Sequence, residues 1–155
     1  MSTDEALITK FYTAFQQKDF LTMQSCYHAE ATFSDPVFQS LNSKEVKAMW
    51  QMLLTSSKDL KVTFDNVQAN CCHWEAWYSF SRTGRKVHNI IDATFEFKDG
   101  LIYRHKDHFN MRKWGRQALG IAGIFPFVHS KVRATARKSL DKFIQASALH
   151  RISIS

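Results

Sequence analysis

The chain has 155 residues, of which 45% are hydrophobic and 23% charged, the balance of a folded globular domain rather than a disordered or fibrous chain. Five glycines and two prolines exclude a collagen-like or linker-rich sequence, and three cysteines (Cys26 and the adjacent Cys71 and Cys72) suit neither a disulfide framework nor a zinc finger. The net charge of +7 is uneven: residues 1–103 carry 10 Lys or Arg against 12 Asp or Glu, whereas residues 104–155 carry 11 against 2.

Leu7, Ile8, Phe11 and Phe15, with Ala14 between them, recur at helical spacing and predict an amphipathic helix over Thr3 to Gln17, capped by Ser2 or Thr3. Asp19 opens a short second helix through Leu21, Met23 and Tyr27. Ala31 to Ser34 reads as a brief strand that Asp35-Pro36 ends, because proline has no ladder donor. Ser43 starts a third helix with Val46, Met49, Trp50, Leu53 and Leu54 on one face. From Leu60 the period drops to two. Val62, Phe64 and Val67 mark one strand; Trp74, Ala76, Tyr78 and Phe80 alternate along the next, up to a turn at Arg82-Thr83-Gly84-Arg85. Val87 to Phe97 follows, with Asn89, Ile91, Ala93, Phe95 and Phe97 on one face, and then a tight hairpin at Lys98-Asp99-Gly100. Leu101 to Met111 returns with Tyr103, His105, Asp107 and Phe109 on one face. Lys113 to Ala118 is helical, Gly120 and Gly123 interrupt it, and Val128 to Leu149 forms a last helix.

This order is α+β. A long curved sheet, antiparallel or mixed, wrapped round the N-terminal helices makes a cone, and its alternating aromatics line a cavity or fill a core. Residues 1–112 are the expected cone domain, with residues 113–155 a helical extension packed on the same domain. No segment supplies the roughly 18–20 apolar residues of a membrane-crossing helix, and the acidic start Met1-Ser2-Thr3-Asp4-Glu5 lacks the basic and apolar regions of a secretory leader. A soluble cytoplasmic protein without a membrane partner follows. The basic C-terminal third reads as a solvated helix face rather than a nucleic-acid site, since no phosphate loop or RNA-binding aromatic signature accompanies it. The stripe Val128, Val132, Ala136, Leu140, Phe143 and Ile144 needs burial on the domain or against a second copy. Ile121 to Phe127 is a candidate lid.

Phe11-Tyr12, Lys18-Asp19 and the run Tyr27-His28-Ala29-Glu30-Ala31-Thr32-Phe33-Ser34-Asp35-Pro36 resemble the opening of the nuclear-transport-factor-2-like superfamily. That superfamily includes ketosteroid isomerases, SnoaL-type polyketide cyclases, scytalone dehydratase and limonene epoxide hydrolase. Phe95-Glu96-Phe97-Lys98-Asp99-Gly100-Leu101-Ile102 resembles its Phe-rich strand and Asp-Gly-x-Ile hairpin. The likeness spans roughly residues 5–112, and the extension looks like that of uncharacterised ketosteroid isomerase-related bacterial proteins. It implies the cone-shaped, cystatin-like fold and a homodimer. It leaves the reaction open, because this scaffold hosts unrelated chemistries.

The resemblance puts Asp35 where ketosteroid isomerases carry their general base, and desolvation by Phe33 and Phe38 would raise its pKa toward that task. An Asp before Pro also caps its own turn. The family's oxyanion tyrosine falls at Phe11, and its second donor at Ala93. Asp92, one residue off, turns to the other face with His88 and Glu96. Steroid isomerisation itself therefore lacks its donors. His105 and Asp107 point the same way and suit an acid–base pair, or an inward ion pair that sets sheet register. The catalytic candidates are thus Asp35, His105 and Asp107. The candidate binding wall is Phe11, Tyr27, Trp50, Trp74, Tyr78, Phe80, Asn89, Tyr103 and Phe109. His108 points away from His105 and Asp107, so no metal site is expected, and no cofactor. The expected protein has a pocket for a hydrophobic small molecule. It is an isomerase, cyclase or dehydratase, or else a non-catalytic ligand- or protein-binding module of the same fold.

Overall fold

The computed structural model describes residues 1–154. Thr3–Gln16 (α1) starts where the Ser2 hydroxyl accepts from the Glu5 N–H at 3.1 Å, and it buries Ile8, Phe11, Tyr12, Ala14 and Phe15. Phe20–Ser25 (α2) is capped by Asp19. The sequence pattern carries this helix through Tyr27, but the helix closes at Cys26, and Tyr27 opens Tyr27–Ser34 (β1). A register shift between Tyr27 and Thr32 breaks the alternation, so a period-two signal survives only from Ala31 onward. Leu41–Asn42 (β2) pairs antiparallel with β1. Asn42 and Glu45 then form a capping box for Ser43–Ser56 (α3).

Lys61–Gln68 (β3), Cys71–Ser79 (β4), Lys86–Lys98 (β5) and Leu101–His108 (β6) form an antiparallel meander. β1 joins it by running parallel to β6, so the six-stranded sheet is mixed, in the order β2-β1-β6-β5-β4-β3. Asp99 and Gly100, at φ 55° and 74°, make the left-handed two-residue turn that matches the twist of β5 and β6. Aromatic rings fill the concave side. Phe11 of α1 meets Tyr12, Tyr27, Trp50 and His105 edge-on at centroid distances of 5.0–6.0 Å, and Phe15, Phe33, Trp74 and Phe95 are buried beside it.

β6 stops at His108 rather than Met111, because Asn110 accepts from the Lys113 N–H and caps Met111–Leu119 (α4). A 3₁₀ turn, Ile121–Ile124, leads into the 29-residue helix Pro126–Ile154 (α5). α4 lays Trp114 and Ala118 against Val87, Tyr78 and Phe80. α5 buries Leu140 completely, and its Arg133 Nε donates to the Pro36 carbonyl at 2.8 Å. Arg137 pairs with Glu45 at the start of α3. Among the described residues no helix is long and apolar enough to cross a membrane.

The 3₁₀ turn docks on α4 through two glycines. A Cβ on Gly123 would lie 1.8 Å from the Gly115 carbonyl oxygen, so only backbone fits there. Gly123→Ala should therefore cost about 1–3 kcal/mol by overpacking and lower the thermal midpoint by roughly 3–9 °C. Thermal unfolding followed by circular dichroism tests this, with the exposed Ala122→Ser as the silent control.

Candidate functional site

A chain of hydrogen bonds crosses the aromatic core. Trp50 Nε1, on α3, donates to the Tyr27 hydroxyl at 2.9 Å, and that hydroxyl lies 2.8 Å from His105 Nδ1. His105 Nε2 is 3.0 Å from Asp107 Oδ1, which Trp74 Nε1 also reaches at 3.4 Å. An indole only donates and a carboxylate only accepts, so with a neutral imidazole the chain has one sense. Tyr27 receives from Trp50 and gives its own proton to Nδ1, and His105 keeps its proton on Nε2, toward Asp107. His105 and Asp107 are 2% and 3% exposed. The rings of Phe11, Phe33, Trp50 and Phe95 stand 4.4–6.4 Å from the imidazole. Burial pushes the Tyr27 phenol well above its ordinary pKa.

Asp35 stands half-buried just past β1. Its Oδ1 accepts from the Val37 and Phe38 N–H groups at 2.7 and 2.6 Å, closing the turn that Pro36 opens. Its Oδ2 accepts from none of the described residues. Burial raises the carboxyl from the ordinary 3.8 to about 7, opposed by those backbone donors and aided by the negative charge of Asp107. Two side chains on the inner face also have unspent hydrogen-bonding capacity. The Tyr78 hydroxyl accepts from Trp114 Nε1 at 2.7 Å and donates to no described residue. Burial pushes that phenol up to about 12, and the charge of Asp35 adds to the rise. Asn89, half-buried and in register with Ala76, makes no side-chain hydrogen bond to the described residues. Phe80 meets Trp114 edge-on at 5.5 Å, and half-buried Phe109 packs in the same cluster.

The sequence candidates thus divide. Phe11, Tyr27, Trp50, Trp74, His105 and Asp107 lie inside the filled cone, whereas Tyr78, Phe80 and Phe109 pack around Trp114, Asp35 is near enough to Tyr78 for its charge to act on the phenol, and Asn89 faces inward from β5 beside Ala76. Tyr103 joins neither group. A bulge opposite Glu96 and Phe97 gives Ile102 the inner position, and the Tyr103 ring meets His28 and the cations of Lys98 and Arg104 instead. Asp92 is on the outer face, 2.9 Å from His73 Nδ1, while Ala93 is fully buried. A groove of about 760 Å³ borders β1, β5 and β6; Asp35 and Phe109 line it together with buried His105 and Asp107, and its exposed lining is outer-face residues such as Thr32, Arg104, Lys106 and His108. The Tyr78–Trp114 bond escapes sequence reasoning. Only the spacing of Trp114 and Ala118 on one face of α4 hints that this helix packs inward.

A curved mixed sheet closed over by helices, with an aromatic interior, is the NTF2-like class of fold. Residues 8–105 match the family model of the SnoaL-like domain, and the chain belongs to that family. No curated protein sequence matches it. Among solved structures, an NTF2-like protein of unknown function from Burkholderia pseudomallei superposes with a TM-score of 0.67 at 15% identity, over 77% of this chain and 99% of its own. An LEH-like epoxide hydrolase of Mycobacterium tuberculosis gives 0.59 at 15% identity, over 81% and 95%. IdmH of Streptomyces antibioticus, assigned as a polyketide cyclase, gives 0.61 at 18% identity, over 74% and 96%.

Two outcomes follow from this geometry. Tyr27→Phe strands both Trp50 Nε1 and His105 Nδ1 in the core and should cost about 2–4 kcal/mol in urea unfolding. Folded Asp35 holds its proton to about pH 7, whereas the unfolded carboxyl loses it near 3.8. Stability should therefore fall as pH rises through that window and level off above it. Asp35→Asn should flatten the slope and leave the variant about 2–3 kcal/mol more stable than wild type at pH 8. A slope that persists in the variant would assign it to another group.

Proposed function

We propose that this protein is a cofactor-free acid–base enzyme acting on an apolar carbonyl compound, as an isomerase or a cyclase. One observation carries the reading. The half-buried Asp35 Oδ2 and Tyr78 hydroxyl, close enough for the charge of Asp35 to act on the phenol, both keep unspent hydrogen-bonding capacity, as does the half-buried Asn89 amide on the same face of the sheet as Tyr78. A half-buried polar group without a partner in the fold calls for one from outside. Asp35 Oδ2 takes a proton from the carbon next to the carbonyl, and the electron pair moves onto the carbonyl oxygen. Tyr78, kept protonated by its burial, donates to that oxygen and takes the role that Phe11 cannot fill. The proton then returns from Asp35 to a different carbon, or the enolate carbon attacks a second carbonyl, whose π electrons move onto its oxygen, and that oxygen takes the proton from Asp35 to become a hydroxyl. His105 and Asp107 act through Asp35 rather than on substrate, because the charge of Asp107 helps keep the Asp35 carboxyl titrating near neutrality.

On this reading residues 113–155 belong to the same domain, since Trp114 bonds Tyr78. The protein is taken as cytoplasmic and as a homodimer. A second reading, a non-catalytic ligand-binding module, is favoured by the filled interior, where Phe11 is fully buried and His105 is 2% exposed.

Proton exchange separates the two without knowledge of the product. Hydrophobic ketones (cyclohexenones, tetralones, 3-ketosteroids) are incubated with the protein in D2O, and deuterium uptake is read by mass spectrometry. Catalysed exchange should rise with pH through about 7, fall at least ~100-fold in Asp35→Asn, and fall on the order of 100-fold in Tyr78→Phe. Absence of exchange with every ketone, together with saturable binding of an apolar fluorescent dye, would establish the binding module instead.

A further inference from the structure

Ile121, Phe125 and Phe127 are 74%, 44% and 62% exposed. The two phenyl rings stack, 5.7 Å between centroids and 19° from parallel, and exposed Ile121, four residues before Phe125, adds a third apolar side chain to this knob. The segment beneath is held firmly. The Gly123 backbone is pressed onto Gly115, and His129 Nε2 donates to the Gly123 carbonyl at 2.7 Å. The Thr83 hydroxyl and Arg85 Nε donate to the carbonyls of Ala118 and Gln117 at 2.6 and 2.8 Å. A pinned scaffold thus presents three large apolar side chains to water, which marks an interaction site.

The charge around the knob has one sign. Residues 108–140 contain seven Lys or Arg and no Asp or Glu. Arg112, Lys113 and Arg116 lie on the face of α4 away from buried Trp114 and Ala118, and Lys131 is one turn beyond Phe127. All four are exposed, and none forms an ion pair with a described residue. We propose that this knob and its cations dock the protein on an anionic lipid surface. The rings and Ile121 enter the boundary between headgroups and acyl chains, and the cations meet the lipid phosphates. A nucleic-acid strand suits the knob less well, because aliphatic Ile121 gives a base no ring to stack on, whereas the lipid boundary takes all three apolar side chains. The mode is peripheral, since no described helix spans a bilayer.

Docking also orients the Asp35 turn. Arg133, about 10 Å along α5 from Pro126, bonds the Pro36 carbonyl beside Asp35. α5 thus joins the knob at its start to the Asp35 turn two helical turns on, so docking would hold that turn near the lipid and the apolar compounds dissolved in it. This last step rests on the enzymatic reading above, but the docking does not.

Flotation of the full chain with vesicles of phosphatidylcholine, with and without phosphatidylglycerol, tests the proposal. The protein should float with the anionic vesicles only, and salt should release it. Phe125→Ser with Phe127→Ser should weaken binding at least ~10-fold, and Arg112→Gln with Lys113→Gln and Arg116→Gln on the order of 100-fold. Both variants should keep the wild-type circular dichroism spectrum and the same ketone exchange in vesicle-free solution, which keeps this test apart from the enzymatic one. No flotation at low salt, or flotation untouched by either set, overturns the proposal. So does retention on single-stranded DNA without vesicle binding. Conversion of a dimer to a monomer by the phenylalanine changes, without vesicle binding by wild type, would show that the knob joins two copies of the chain.

Discussion

The Tyr27 hydroxyl ties together parts of the chain that no local signal connects. Through it Trp50 of α3 reaches His105 of β6, and through Asp107 the same chain reaches Trp74 of β4. Buried polar groups are costly unless every partner is present, and a low-dielectric interior strengthens the bonds that do form. The network therefore works as a register lock. β1 and β6 are the only parallel pair among the described residues, and they set Phe33 opposite His105 at the point where the lock closes. A slip of one residue would put Phe33 outside and leave His105 and Asp107 without donors.

The lock also decides where chemistry can occur. With His105 and Asp107 enclosed by rings, their polar atoms bond to each other, Tyr27 and Trp74, while the fully buried Tyr12 hydroxyl beside them bonds to no described residue. Asp107 still acts on Asp35 through space, since its fixed charge makes a second carboxylate nearby harder to ionise. The C-terminal extension is part of this arrangement, because Trp114 supplies the donor that orients Tyr78. At 15–18% identity the neighbouring structures share the scaffold, and a scaffold does not transmit a reaction.

The fold class could be read from periodicity because most elements are regular. α1 shows a clean helical stripe, β5 alternates from Val87 to Phe95, and Asp99-Gly100 can only be a tight turn. The same alternation places Ala93 inside and Asp92 outside. Reading failed where the regular period does. The shift after Tyr27 puts that residue in an apparent helix and leaves His28 to Glu30 without a strand signal, and the bulge at Tyr103 exchanges it for Ile102. Neither bulge has a glycine or proline to announce it. In the candidate site, Asp35 was legible through its proline and its family resemblance. The pairing of Tyr78 with Trp114 was not, because it depends on how two distant elements pack, and pattern within one element carries no such information.

Arg133 shows how the extension shapes the Asp35 turn without neutralising it. Its guanidinium reaches the residue next to Asp35 but donates to the Pro36 carbonyl instead of the carboxylate. A guanidinium on the carboxylate itself would hold Asp35 ionised and well below neutrality. By engaging the backbone one residue on, Arg133 fixes the turn from outside, while the Val37 and Phe38 amides fix it from inside. The carboxyl is thus positioned by three donors, only two of which touch it, and both approach the same oxygen. The other oxygen keeps its lone pairs, in surroundings dry enough to hold a proton near neutral pH. A turn that merely needed capping would be served as well by a solvated aspartate. The burial of this one raises its proton affinity at a cost in stability, and that cost is what the proposed proton transfer would explain.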